Sequence, residues 1–419
     1  MNLDAILNTE ITSLTKGVPG NCEPFKLSDV GSKNWNVLKE DLPLPLLLIK
    51  EETLLANSKS FSDYIAQNNV SLAPHGKTTM CPQIFQLQLD HGAWGMTAAT
   101  ANQMQVYRKF GVQRILMANQ LVGKQNIRFV VDELNADENF EFYCLLDSHE
   151  HFDYLEKMLA SLGLKRPLNV LLEVGMDAGR TGIRELSVAK DLAHKIHQSQ
   201  LLNFAGIEAF EGIVGLSDAD LKKVQNLLNK VVSLCDSLGF IGELNEVILS
   251  AGGSAFFDQV VEIFGKISLP NKRIVIRSGC YITHDHKGYE KFQKKALSDK
   301  RHWCEPLQPA LEIWSYVQSI PEKGLALLTM GRRDAPFDVA MPTPLKSYRN
   351  GDWQDISGAT ITALNDQHAF FKFDDSIDLQ VGDMICCGIS HPCTAFDKWS
   401  FIPIVNNDYD VTQAFRTFF

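Results

Sequence analysis

The chain has 419 residues, 45% of them apolar, and a formal net charge of −10, enough for two domains or one large barrel with an attachment around a full-sized core. No Lys/Arg-rich block is present, which excludes a nucleic-acid surface, since phosphate binding depends on clustered positive charge. The most apolar stretch, "LPLPLLLIK", is far too short to span a bilayer, and small-molecule chemistry is the expectation.

Residues 1–40 are weakly patterned and read as a partly helical N-terminal arm. The opening "MNLDAILNTE" has neither a basic n-region nor a long apolar h-region, so a soluble, cytoplasmic protein without membrane contact is expected. Nine cysteines, scattered rather than framed, suit reduced thiols. Residues 41–70 supply a strand, "LPLLLIK", able to pair with a later β domain, and a helix leading onward.

From 71 to 285, eight short apolar runs alternate with helical segments: "VSLAPHGK", "WGMTAAT", "RILMAN", "FYCLLD", "NVLLEVG", "FAGIEAF", "EVILSAGG" and "RIVIRSG". Segments between them such as "TANQMQVYRKFG" and "SDADLKKVQNLLNKVVSLCDSLG" begin with Ser, Thr or Asp in cap position, carry apolar residues three and four apart, and end in Gly. Apolar strands without clean alternation, one helix apart, indicate a covered parallel sheet, and eight units match a closed (β/α)8 TIM-like barrel. An open doubly wound sheet is the alternative. Residues 286–419 turn to short β-rich runs between Gly, Pro, Asn and Asp turns, which predicts a C-terminal all-β domain.

In such a barrel, chemistry sits on the loops after the C-terminal strand ends. Lys77, Asn119, Arg180, Ser254, Arg277 and Gly279 all fall there and would converge on one mouth. A lysine in a low-dielectric pocket beside other cations loses its proton readily and becomes a Schiff-base nucleophile, although most lysines are simply solvated. In "SAGGSAFFD", Gly252 and Gly253 permit a tight turn and Ser254 offers a hydroxyl near a helix N-terminus, an arrangement that suits a phosphate or an ordinary βα turn. "RSGCY" (277–281) adds a second glycine turn on the neighbouring strand. His75 relays protons, stacks on a cofactor or only packs the strand end.

"PHGKT", "EVGMDAGRTGI", "SAGGSA", "RSGCY" and "GISHPCTAFDKW" resemble the pyridoxal-phosphate enzymes with an alanine-racemase-like barrel, and within them the D-serine dehydratase and D-threonine aldolase group. The resemblance implies that Lys77 carries the cofactor, that Arg180 faces its phenolic oxygen, and that Ser254 with the amides of Gly253, Gly279 and Cys280 holds the phosphate. It sets Arg277 opposite the pyridine nitrogen in alanine racemase, a role left open here, and it counts His75 and Asn119 with the cofactor-binding set. Where many relatives carry Tyr or His after the sixth strand, this chain has Phe210 and Glu211.

His391 and Cys393 stand two apart after an apparent strand, and alternate residues of an extended chain face one way, so both could meet one ion. An imidazole and a thiolate suit zinc, with manganese as the other possibility, and the resemblance implies zinc held by this H-x-C pair. Cys386 and Cys387 read as buried strand cysteines. "THDH" (283–286) reads as a linker turn and "MGRRDAPFD" (330–338) as a surface ion-pair cluster, while Trp399 lies beside the metal motif. The expected activity is a metal-assisted lyase on D-amino acids with a β-hydroxyl, chiefly dehydration of D-serine or D-threonine to keto acid and ammonia. A D-threonine aldolase, an amino-acid racemase and a non-enzymatic cofactor carrier are the alternatives. Relatives imply a homodimer.

Overall fold

The computed structural model describes residues 1–419. Its centre is a ring of eight parallel strands: β1 (Ser71–Leu72), β2 (Met96–Ala98), β3 (Arg114–Gln120), β4 (Glu141–Leu146), β5 (Leu168–Val174), β6 (Leu202–Ala209), β7 (Val247–Ala251) and β8 (Lys272–Ile276). Each pairs with its sequence neighbour from β2 to β8, and β8 returns to β1 through Val275–Ser71 and Ile276–Leu72. The ring closes where the chain beyond β1 meets β2. There Trp94 N–H donates to Leu72 at 2.7 Å and Thr97 N–H to Pro74 at 2.9 Å, beside a parallel bridge between His75 and Thr97. Closure rules out the open doubly wound sheet.

Inside the barrel Ala73, Leu116, Tyr143, Leu145, Leu171, Ala205, Ile248 and Val275 form their own buried cluster, as expected of a barrel filled by side chains from successive strands. The outer helices start where the local chemistry allows. Ser217 caps Asp218–Ser237 by accepting from Asp220 N–H at 3.2 Å, and Ser148 caps His149–Leu162 through His151 N–H at 3.2 Å. No helix is long and apolar enough to cross a membrane.

Beyond Ser298 the chain is almost entirely antiparallel β, led by the long strand Leu311–Glu322. Its residues Glu312–Tyr316 pair on one side with Met384–Gly388 and Leu311–Trp314 on the other with the early strand Leu46–Lys50, which also runs parallel to Phe401–Val405. The first 40 residues are packed rather than extended as an arm. Ile6, Val18, Val30 and Val37 are buried, and the backbone of Val37 and Trp35 bonds to Tyr409 and Val411.

Candidate functional site

One pocket opens at the C-terminal end of the barrel. His75, Lys77, Asn119, Arg180, Gly253, Ser254, Arg277, Gly279, Cys280 and Cys393 all line it, joined by Thr78, Glu173, Glu208, Phe210 and Tyr289. Lys77 stands on a single 3-10 turn, Gly76–Thr78, just past the bridge that closes the ring. Gly76 makes that turn possible, because a Cβ there would lie 2.5 Å from the Tyr107 hydroxyl. Asn119 lies within β3 rather than after it, and its amide donates to Ala99 O at 2.7 Å.

The floor of the pocket is charged and buried. Arg277 and Glu208 form an ion pair, 4% and 1% exposed, and Arg277 also donates to Ser250 Oγ at 2.6 Å. Burial pushes the Glu208 carboxyl up to about 8 against the opposing pull of Arg277. Glu173 sits beside Glu208 in register on the adjacent strand, accepts from Thr181 Oγ1 at 2.7 Å and from Gln120, and is raised by burial. Burial, then the charges of Lys77 and Arg277, hold His75 well below the usual imidazole range, so its ring is neutral. The Arg180 guanidinium stacks 4.6 Å over the Phe210 ring. Glu173 and Glu208 escaped the sequence reading. Their signal was an acid inside an otherwise apolar run in two consecutive strands, "LLEVG" and "GIEAF".

The glycine turn after β7 corrects one expectation. Glu211 is fully buried and accepts from the N–H groups of Gly252 at 3.2 Å and Gly253 at 2.9 Å. The Gly253 amide is therefore engaged within the protein, and the Cys280 amide donates to Ser254 Oγ at 3.2 Å. The N–H groups of Ser254, Ala255 and Gly279 have no protein acceptor. With the Ser254 hydroxyl they are free donors on residues lining one pocket, and a Cβ at Gly279 would meet His75 O and Thr78 Oγ1 at 2.7 Å. A phosphate fits this donor set.

His391 and Cys393 do meet, but not by strand alternation. His391 is the N-cap of a short helix, Pro392–Phe396, whose first turn carries Cys393; proline at the first helical position and the chain reversal of a helix start bring the two side chains together. His391 Nδ1 bonds Asp338 Oδ2 at 2.5 Å, and Thr394 Oγ1 donates to Asp338 Oδ1 at 2.8 Å. That fixes the ring so that Nε2 is the nitrogen available to a ligand. Burial alone would lower the His391 pKa, but its hydrogen bonds to Cys393 and Asp338 lift it to about 9. Cys393 is held well below the usual thiol range by hydrogen bonds from Cys280 and then His391, while Cys280 is pushed up. No three His, Cys, Asp or Glu side chains converge on one ion position. The nitrogen and sulfur donors with a carboxylate behind the imidazole still suit zinc.

Two further expectations are refined. "THDH" is a linker turn, but a buried one: Thr283, His284 and Asp285 are buried, and Asp285 accepts the N–H groups of Lys287 and Tyr289 at 2.9 and 3.0 Å. In its charged residues "MGRRDAPFD" is a surface cluster except at Asp334. Asp334 is 1% exposed, paired with Lys16 at 2.7 Å, and Asp338 reaches His391. Trp399 is structural, donating to Asp334 O at 2.9 Å, and Cys386 and Cys387 are buried in their strand.

The family model described as "Alanine racemase, N-terminal domain" matches residues 49–260. The chain belongs to this family. The model described as "Putative serine dehydratase domain" matches residues 310–405, the β-rich segment that carries the His391–Cys393 loop. The D-threonine aldolase of Arthrobacter sp. is 21% identical over 79% of this chain and 80% of its own length. Among solved structures, D-threonine aldolase from Filomicrobium marinum superposes with a TM-score of 0.73 at 20% identity, covering 90% of this chain and 95% of that one. D-threo-3-hydroxyaspartate dehydratase from Delftia sp. HT23 superposes at 0.70 with 15% identity, covering 91% and 99%, and a cysteine-to-alanine variant of such a dehydratase is known in a metal-free form. The fold class is thereby established as alanine-racemase-like: a parallel barrel with an antiparallel β domain.

Proposed function

We propose that this protein is a pyridoxal-phosphate- and metal-dependent lyase for D-amino acids with a β-hydroxyl, releasing ammonia and a keto acid from substrates such as D-serine and D-threonine. The observation that carries this reading is one pocket lined both by Lys77, on the first strand's loop, and by Cys393 of the β domain, with His391 two residues from that sulfur. Thr78, next to Lys77, is bonded by Cys393 Sγ at 3.4 Å, so the two halves are in direct contact.

When bound, the cofactor supplies an electron sink for bonds at Cα and the metal supplies Lewis acidity at the β-oxygen. Lys77 would hold the cofactor covalently through Nζ and, once released by substrate, take the Cα proton as general base. Ser254 Oγ with the Ser254, Ala255 and Gly279 amides would grip the phosphate. Arg180, seated on Phe210, would donate to the phenolic oxygen. Arg277, itself held by Glu208 and Ser250, would face the ring nitrogen and keep that edge unprotonated, because a guanidinium does not give up its proton. His391 Nε2 and Cys393 Sγ would hold the metal, oriented by Asp338.

The sulfur donor favours zinc over manganese and, with the dehydratase-domain match to residues 310–405, supports elimination. Retro-aldol cleavage is the second reading, favoured by the alignment with the Arthrobacter enzyme over most of both chains. The active form in this reading is a homodimer, as the resemblance implies. Product analysis with D-threonine decides between the chemistries. We expect 2-oxobutyrate and ammonia; glycine and acetaldehyde would install the aldolase, and interconversion of D- and L-alanine by metal-free protein would overturn the lyase class.

A further inference from the structure

Cys280 and Cys393 are 113 positions apart in the chain, yet their sulfurs lie 3.7 Å from one another. Cys280 begins the 3-10 turn Cys280–Ile282 that follows β8, and Cys393 rides on the helix Pro392–Phe396 of the β domain. The Thr78 hydroxyl touches both, at 3.8 Å from Cys280 Sγ and 3.4 Å from Cys393 Sγ, and so keeps the sulfurs side by side. Both line the pocket. Cys280 is buried and Cys393 is the less buried of the two. The neighbouring Cys386 and Cys387 are different in kind: they are consecutive in a strand, fully buried, and project to opposite faces.

We propose that Cys280 and Cys393 form a reversible disulfide when a hydroperoxide enters the pocket, coupling the barrel to the β domain and withdrawing Cys393 from metal binding. A disulfide needs sulfurs about 2.05 Å apart, so the pair closes by roughly 1.6 Å, within reach of side-chain rotation and a small shift of the short helix. In the first step the Cys393 sulfur takes one oxygen from the peroxide, becoming a sulfenic acid as the O–O bond breaks and water or an alcohol leaves. In the second the Cys280 sulfur attacks the Cys393 sulfur, the S–O bond breaks, and hydroxide departs as water with the Cys280 proton. Two thiols lose two electrons and one peroxide gains them. A dithiol reverses the bond by exchange.

The disulfide stands on the geometry alone; only its effect on turnover rests on the proposed metal-dependent lyase. The test uses the full-length protein, treated with EDTA and then with a few equivalents of hydrogen peroxide, and mapped by mass spectrometry without reduction. A peptide containing Cys280 should be found joined to one containing Cys393, two hydrogens lighter than their sum, with both thiols recovered in dithiothreitol. In Cys280→Ser the joined species should be absent and Cys393 should pass to the sulfinic acid, which dithiothreitol does not restore. Wild-type protein in which Cys393 reaches the sulfinic acid while Cys280 stays a free thiol, or in which Cys280 pairs with another cysteine, would overturn the proposal; this arm needs no variant to fold. Assayed with zinc added back after the EDTA step, turnover should stay more than tenfold below that of unoxidised protein while the crosslink persists and return with dithiothreitol. If the crosslink forms while activity is indifferent to both oxidation and EDTA, the metal reading fails and the disulfide stands.

Discussion

Glu208→Gln should change how the stability of the protein depends on pH. Burial raises the Glu208 carboxyl from 4.5 to about 8 despite the Arg277 contact. Folding therefore takes up a proton at this group between those values, and the wild type loses stability as pH rises through that window. Each unit is worth about 1.36 kcal/mol. Between pH 5.5 and 8.5 the titration difference amounts to a little over two units, or about 3 kcal/mol. With an unfolding entropy of roughly 2.1 cal/mol/K per residue, the chain gains about 0.9 kcal/mol/K, so 3 kcal/mol corresponds to about 3–4 °C in Tm. Glutamine carries no proton to lose, and Glu208→Gln should gain that margin on the wild type across the window. Asp258, raised to about 7, and Asp285, raised to about 6, slope the same way; they are common to both proteins and cancel in the difference. The assay is Tm by circular dichroism at half-unit steps for the two proteins in parallel. Parallel curves, or a wild type that gains on the variant with rising pH, would show that Arg277 keeps Glu208 ionised and that Coulomb attraction outweighs burial at this pair.

Lys77→Ala should leave no peptide labelled by borohydride reduction with the cofactor, and no turnover; label on another lysine would refute the assignment. Glu211→Ala strands the Gly252 and Gly253 amides, costing about 1–3 kcal/mol, and should weaken cofactor binding measured by titration of stripped protein; unchanged affinity would separate the glycine turn from the phosphate donors. Asp338→Ala should lower zinc affinity by about 10- to 100-fold in competition with a chelating dye, with Asp338→Asn in between because an amide oxygen still accepts from Nδ1–H; equal affinities would mean that Asp338 does not orient His391.

The barrel was readable because its signal is repeated: eight apolar runs separated by segments of helical period, and strand order in a closed parallel ring follows chain order. Site residues on the loops were readable for the same reason, since strand ends face one mouth. What the sequence hid depends on contacts between distant segments. Asp338 looked like part of a solvated charge cluster because nothing local connects it with His391, 53 residues on. Glu211 looked like a stray acid at a catalytic position, and only the fold shows it bonded to a turn 41 residues later. The H-x-C pair was found for the wrong reason: proline after His391 begins a helix rather than continuing a strand.

The strand Leu46–Lys50 joins a sheet whose other members are made more than 260 residues later. On a ribosome, this segment emerges early and then has no edge to pair with while the whole barrel is synthesised. Its four fully buried residues, Leu46 to Ile49, must be kept from other edges throughout that interval, a sticky tract that a chaperone would recognise. The barrel is in effect spliced into the β domain, and the usual dissection at a boundary near residue 300 would produce two damaged pieces. A fragment beginning there would present Leu311–Trp314 as a bare edge, so an autonomous β domain requires the early strand grafted back, for instance by joining residues 41–50 to the fragment through a flexible linker.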